Sequence, residues 1–105
     1  MRDSLRDWNR KPTHPGAILR EDVLPALDMT QAAFAERLGV SRLTVSELLL
    51  EKRALSPEMA ARLGRLLNTT PDSWLAMQSA LNLWQAVHDL PGLDEIEPLR
   101  AAAYG

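Results

Sequence analysis

The chain has 105 residues, of which 46% are hydrophobic and 25% charged, with no cysteine and a formal net charge of −2. This composition indicates one folded domain rather than a disordered chain, and the missing cysteines exclude disulfide scaffolds and thiolate metal sites. No apolar stretch approaches the length needed to span a bilayer, and the N-terminal residues lack the pattern of a secretory signal. We therefore expect a cytoplasmic protein.

The charge is unevenly distributed along the chain. Residues 30–66 carry six basic and four acidic side chains, whereas residues 69–105 carry five acidic side chains and one basic one. The mildly basic middle is compatible with a nucleic-acid partner, although affinity for DNA grows with the number of phosphates that are neutralised. Dimerisation would double that number, so these charges favour a DNA-binding dimer over a DNA-binding monomer.

The apolar pattern predicts five helices and no strands, since nothing in the sequence alternates with a period of two. We interpret residues 1–13 as a flexible arm, because they mix charges with little apolar periodicity. Residues 14–89 form the predicted folded domain, and its last helix is predicted to mediate dimerisation. Residues 90–105 form a tail that is first acidic and then rich in alanine.

Capping residues predict where the helices begin and end. Pro15 suits the first turn of the first helix, and Pro25 is predicted to end or kink it. Gly39 is suited to the left-handed turn that stops the second helix. Side chains that cap helix N-termini precede each of the four later helices: they are Thr30, Ser41, Ser56 and Thr70. The buried face of the second helix is predicted to consist of Ala32, Phe34, Ala35 and Leu38.

Residues 30–49 carry the functional signal. Ala35 is small enough for two helices to approach closely, and Gly39 permits a tight turn between them. The angle between the helices is filled by three apolar side chains: Val40, Val45 and Leu48. This pattern predicts a helix-turn-helix, whose second helix reads bases in the major groove of DNA with its N-terminal residues.

The outward-facing residues of this second helix have groups that suit base edges. Arg42 can form paired hydrogen bonds to guanine, Thr44 can meet a base edge or a thymine methyl, and Glu47 can accept from cytosine. Gln31 lies where a helix N-terminus binds phosphate, and residues 52–53 lie where they can touch the DNA backbone. The predicted DNA-contacting residues are Gln31, Ser41, Arg42, Leu43, Thr44, Ser46, Glu47, Lys52 and Arg53.

The fifth helix is apolar over more of its circumference than the surface helix of a monomer requires. One stripe consists of Trp74, Met77, Leu81 and Trp84, and a second consists of Ala76, Ala80, Leu83 and Val87. Core packing accounts for the first stripe, whereas the second predicts self-association, for which a twofold dimer is the common arrangement. The predicted dimer interface contains Trp74, Met77, Ala80, Leu83, Trp84 and Val87.

Nothing in the sequence indicates an enzyme, a metal site or a cofactor. His14 and His88 are the only histidines, and they lie far apart without a carboxylate at the spacing of metal ligands. The acids Asp94, Glu95 and Glu97 are better interpreted as a solvated tail than as a metal cluster. We expect no small-molecule substrate and no membrane partner.

Residues 30–49 resemble the lambda-repressor-like, or XRE-type, helix-turn-helix. A wider match includes residues 12–16 (Pro-Thr-His-Pro-Gly), residues 52–56 (Lys-Arg-Ala-Leu-Ser), Trp74 and Gln78. Together these features resemble the HigA antitoxin family. The resemblance implies an all-α, five-helix, lambda-repressor-like domain and a homodimer that binds operator DNA at the promoter of its own operon. It also implies a second partner, a HigB toxin, which is a small basic RelE-like ribonuclease that cuts messenger RNA at the ribosome.

Two features of the sequence depart from the family pattern. Leu43 stands where relatives often have a polar residue, which removes hydrogen-bonded readout but leaves contact with a thymine methyl. Leu50 and Glu51 stand where relatives often have Asn-Gly. The missing glycine removes an easy left-handed turn, and Glu51 adds a charge that phosphates repel. We therefore expect weaker DNA binding than a Glu51→Gly variant would show.

The leading hypothesis is an antitoxin that represses its own operon and neutralises a RelE-like mRNA endonuclease. Two alternatives stay open: a stand-alone XRE-type repressor without a toxin partner, and a protein-inhibiting module that does not bind DNA. A neighbouring gene for a small basic protein would favour the first hypothesis.

Overall fold

The computed structural model describes residues 9–99, which form five helices and a short 3₁₀ turn without any strand. Helix α1 has three consecutive stretches, which are an α-helical turn (Pro15–Ile18), a π-helical segment (Leu19–Val23) and a second α-helical turn (Leu24–Leu27). The others are α2 (Gln31–Leu38), α3 (Arg42–Leu49), α4 (Pro57–Leu67), α5 (Pro71–Asp89) and the 3₁₀ turn (Leu93–Glu95). The predicted all-α class is confirmed. Most of the predicted N-terminal arm and the end of the predicted tail lie outside the described residues.

The sequence predicts that Pro25 ends or kinks α1, and the first of these alternatives is wrong because α1 continues past Pro25 to Leu27. The π-helical segment directly precedes the proline, and the Leu24 N–H donates to the Leu19 carbonyl five residues earlier. A wider helical turn accommodates a residue that has no N–H to donate. The helix ends at Leu27 and is followed by the capping residue Asp28, which has a left-handed φ of 53°.

Hydroxyl side chains cap the four later helices, as the sequence predicts. Each hydroxyl oxygen accepts a hydrogen bond of 3.0–3.2 Å from the backbone N–H three residues further on. A cap of this kind stabilises a helix by about 1 kcal/mol. The capping residues are Thr30, Ser41, Ser56 and Thr70.

The hydrophobic core lies between the five helices and includes Phe34, Leu48 and Leu63, whose side chains are almost fully buried. On α2 the buried residues are Phe34, Ala35 and Leu38. Ala32 is exposed, so its predicted place on the buried face is wrong. Two helical residues rotate the chain by about 200°, which puts Ala32 on the side opposite Phe34.

The structure explains why a glycine, Gly16, follows His14 and Pro15. A Cβ atom at Gly16 would overlap the backbone carbonyl oxygen of Leu48, so α1 approaches the end of α3 more closely than any side chain allows. This close approach brings the first turn of α1 against the last turn of α3.

In the described part of the chain, no helix is long and apolar enough to cross a membrane.

Candidate nucleic-acid interface

Helices α2 and α3 are joined by a three-residue turn. Gly39 has a φ of 77°, and the N–H groups of Gly39 and Val40 both donate to the Ala35 carbonyl, at 2.9 and 3.1 Å. Val45 and Leu48 are each 1% exposed, so they fill the angle between the two helices as predicted, while Val40 is half-buried. The two helices therefore fix the outward face of α3 rigidly on the core.

The N-terminus of α3 presents two side chains to solvent. Arg42 is exposed and has no ion pair or side-chain hydrogen bond among the described residues, and Leu43 is 64% exposed. Ser41 and Thr44 are occupied locally, because the Ser41 hydroxyl accepts from the Thr44 N–H at 3.0 Å and lies 2.8 Å from the Thr44 hydroxyl. Their hydroxyls hold the helix N-terminus in position.

Glu47 holds Arg53 beside the recognition helix α3. The Glu47 carboxylate accepts from the Arg53 Nη2 and Nε at 2.6 and 3.2 Å. This ion pair weakens the prediction that Glu47 accepts a hydrogen bond from cytosine, because the carboxylate already has a partner in the free protein. It also partly neutralises Arg53, one of the two predicted backbone contacts, whereas Lys52 is exposed and has no ion pair among the described residues.

Arg20 lies beside the end of α3, a neighbour that the sequence reasoning missed. Its Nη1 donates to the Leu49 carbonyl at 2.6 Å and to the Glu51 carboxylate at 3.2 Å, and its Nη2 donates to Glu21 at 2.8 Å. The hydrogen bonds that Arg20 donates to Glu21 and then to Glu51 raise the pKa of its guanidinium above the usual range. Glu51 has a φ of 64° and thus makes, without glycine, the left-handed turn that the family pattern assigns to this position.

Two buried polar side chains hold the loop between α3 and α4. His14 accepts from the Gly16 N–H at Nδ1 (2.9 Å), and its Nε2 lies 3.1 Å from the Arg53 carbonyl, to which it donates. The buried Gln78 accepts from the Leu55 N–H at 2.8 Å. The loop that carries Lys52 and Arg53 is therefore anchored on both sides. The sequence analysis does not predict this anchoring role for His14.

The residues of the predicted dimer interface lie on α5, and they differ in how far they are exposed. Trp74 is only 5% exposed, and its indole N–H donates to the Thr69 hydroxyl at 2.8 Å. Trp74 therefore belongs to the chain's own core, and the prediction that it lies in the dimer interface is wrong. Leu83 and Val87 are 48% and 44% exposed. Three further members are half-buried: Met77, Ala80 and Trp84.

Two other predicted DNA-contacting residues lie on the same two helices. Gln31 is exposed as the first residue of α2, and Ser46 is half-buried on α3. No group of three or more potential metal ligands occurs among the described residues.

The paired helices, the glycine turn and the exposed N-terminus of α3 define a DNA-binding helix-turn-helix protein. The Helix-turn-helix family model matches residues 19–74, so the chain belongs to this family.

Comparison with individual relatives narrows the family further. The regulator YbaQ of Escherichia coli is 37% identical over 99 residues, which cover 94% of this chain and 88% of YbaQ. Antitoxin HigA-1 of Vibrio cholerae is 36% identical over 80 residues, covering 76% of this chain and 75% of HigA-1. A solved structure of Pseudomonas aeruginosa antitoxin HigA with the higBA promoter matches with a TM-score of 0.77 and 40% identity, covering 86% of this chain and 100% of that one.

These relatives place the chain among the HigA antitoxins, a family of DNA-binding helix-turn-helix regulators rather than enzymes.

Proposed function

We propose that this chain is the antitoxin and autorepressor of a HigBA-type toxin–antitoxin module. As a homodimer it binds operator DNA at its own promoter, and it also neutralises a RelE-like mRNA endonuclease. The observation that carries the DNA-binding half is the N-terminus of α3, where Arg42 and Leu43 are exposed above a rigid, hydroxyl-capped helix start. The Pseudomonas aeruginosa HigA structure with the higBA promoter supports this assignment.

In this proposal the N-terminus of α3 enters the major groove. Arg42 forms paired hydrogen bonds to guanine, and Gln31 with the N-terminal N–H groups of α2 binds a phosphate. Lys52 and Arg53 bind the DNA backbone from the loop that His14 anchors. Because Arg53 is partly neutralised by Glu47, each protomer offers few free positive charges to phosphate.

A homodimer compensates for this small number of charges, because two protomers neutralise twice as many phosphates. The half of α5 that lies towards its C-terminus supplies the proposed interface. Leu83 and Val87 lie four residues apart, hence on one face of the helix, and both are nearly half exposed. Covering them with the same face of a second copy would produce the twofold contact that is common in small oligomers.

The first test is a fluorescence anisotropy titration on DNA from just upstream of the gene, at several salt concentrations. Arg42→Ala should weaken specific binding by roughly 5- to 150-fold per protomer, since a paired contact to guanine is worth about 1–3 kcal/mol. Arg65→Ala is the matched control, because Arg65 is also exposed and without an ion pair among the described residues, but lies on α4. Affinity no greater than for random DNA would overturn the DNA-binding half.

The toxin-binding half is supported by the relative named antitoxin HigA-1 and by the negative charge at the end of α5 and in the segment that follows it. Asp89, Asp94, Glu95 and Glu97 are all exposed, and this charge complements a small basic ribonuclease. Co-expression with the neighbouring toxin gene tests the proposal: the chain should restore growth, and a variant with these four acids replaced by Asn or Gln should restore it less. No rescue by the wild type would contradict it.

A stand-alone repressor is the second candidate, because YbaQ is named a transcriptional regulator rather than an antitoxin. Specific DNA binding without rescue from the neighbouring gene product would select this alternative. A protein-inhibiting module without DNA binding would instead show rescue but no specific binding. The ion pairs that occupy Arg20 and Arg53 are the feature that favours this third possibility.

A further inference from the structure

The outward face of α3 has fewer side chains available for reading bases than its sequence indicates. The hydroxyls of Ser41 and Thr44 contact each other at 2.8 Å, and the Glu47 carboxylate is paired with Arg53 at 2.6 Å. At the N-terminus of the helix this leaves Arg42 and Leu43 as the two exposed side chains that no described residue holds.

Leu43 is the most exposed large apolar side chain in any helix of the described chain, at 64%. It is the second residue of α3, which is among the N-terminal positions that reach base edges in a helix-turn-helix. A leucine side chain can neither donate nor accept a hydrogen bond. The apolar group that bases expose in the major groove is the C5-methyl of thymine.

We propose that Leu43 reads the C5-methyl of a thymine in each operator half-site, close to the guanine that Arg42 contacts. This inference rests on the proposed function and deepens it, because it specifies the chemistry of the DNA that the protein selects. The half-site must present a methyl group in the major groove, not only hydrogen-bonding edges. A neighbouring arginine and leucine thus combine one polar contact with one apolar contact.

An apolar protein surface is the other occupant that Leu43 would suit. Leu50 is 56% exposed and lies seven residues on, hence on the same side of the helix. Ser46 and Glu47 lie between the two leucines at the intervening turn, and both are polar. The leucines therefore do not form one continuous apolar patch, which favours a small apolar group such as a methyl over a protein surface.

The experiment replaces each thymine of the bound duplex by deoxyuridine, which removes only the methyl group. Footprinting on the upstream DNA first locates the bound site, and a duplex of that site is then used. Its affinity for the protein is measured by fluorescence anisotropy. Burying one methyl-sized group is worth roughly a fourfold change in affinity. For the wild type we expect about a fourfold loss at one thymine per half-site, and about fifteenfold when both symmetric thymines of a dimer site are replaced.

Three variants make the result specific to Leu43. Leu43→Ala and Leu43→Gln should bind thymine and deoxyuridine duplexes equally, and both should fold normally because the side chain is exposed. Leu50→Ala is the matched control and should keep the full methyl sensitivity. Specific binding that ignores every deoxyuridine, or methyl sensitivity that persists in Leu43→Ala, would overturn this inference and leave the proposed function intact. Absence of specific binding by the wild type would overturn both.

Discussion

Replacing Glu51 with glycine tests how the loop after the recognition helix limits DNA binding. Glu51 holds a φ of 64°, a conformation that disfavours residues with a Cβ atom by about 1–2 kcal/mol relative to glycine. Its carboxylate lies 3.2 Å from the Arg20 guanidinium, and the two side chains are 40% and 37% exposed. Water therefore screens this pair, and its loss costs little stability.

The expected outcome is a protein that is at least as stable as the wild type and binds DNA more tightly. Relief of backbone strain should raise the midpoint of thermal unfolding by a few degrees, since about 1 kcal/mol corresponds to roughly 4–8 °C in a domain of this size. A carboxylate about 8 Å from a phosphate repels it by about 0.5 kcal/mol before screening by salt. Removing it should therefore tighten binding by up to roughly twofold per protomer, and by up to roughly fivefold for a dimer.

Two further variants separate strain from charge. Glu51→Gln removes the charge and keeps the side chain, so it should share the gain in affinity without the gain in stability. Glu51→Ala removes the charge but keeps the Cβ atom at the left-handed position. Anisotropy titrations at two salt concentrations and thermal unfolding measure both effects. If Glu51→Gly binds operator DNA no more tightly than the wild type, the reasoning about this carboxylate is wrong.

Three other changes test the packing, the loop anchor and the dimer. Gly16→Ala should destabilise the fold by about 3 kcal/mol or more in chemical denaturation, because its Cβ would overlap the Leu48 carbonyl; a loss below about 1 kcal/mol would refute this close approach. Gln78→Ala should cost about 1–3 kcal/mol, because the buried Leu55 N–H loses its acceptor, and unchanged stability would argue against that anchor. Val87→Glu should shift the mass in light scattering from dimer to monomer without altering the helical circular dichroism signal, whereas an unchanged dimer would exclude this face of α5.

The features that depend on neighbouring residues were predictable from the sequence. Thr30, Ser41, Ser56 and Thr70 cap helices because each side chain reaches an N–H only three residues away. The turn at Gly39 is equally local. The exception is Pro25, which has no N–H to donate. The wider hydrogen-bond pattern of the π-helical segment before it allows α1 to continue. Sequence rules for proline consider only the usual α-helical hydrogen bond.

The contacts that position the candidate site join distant parts of the chain, and no local pattern specifies them. His14 reaches the Arg53 carbonyl across 39 residues, and Arg20 reaches Glu51 across 31. The same limit applies to α5. Its sequence shows two apolar stripes, but only the folded structure shows that Trp74 belongs to the core whereas Leu83 does not. Which members of a stripe remain exposed depends on where the other helices end.

The tryptophans of α5 give the protein optical reporters for two separate events. Trp74 is enclosed by the core, so its emission should change when the domain unfolds. Trp84 is half-buried and stacks on the His88 ring with 4.1 Å between the ring centroids. Because it lies beside the proposed dimer face, its emission should change when two copies associate. Two variants in which Trp8 is replaced by Phe, one keeping only Trp74 and the other only Trp84, would report folding and assembly separately without a chemical label.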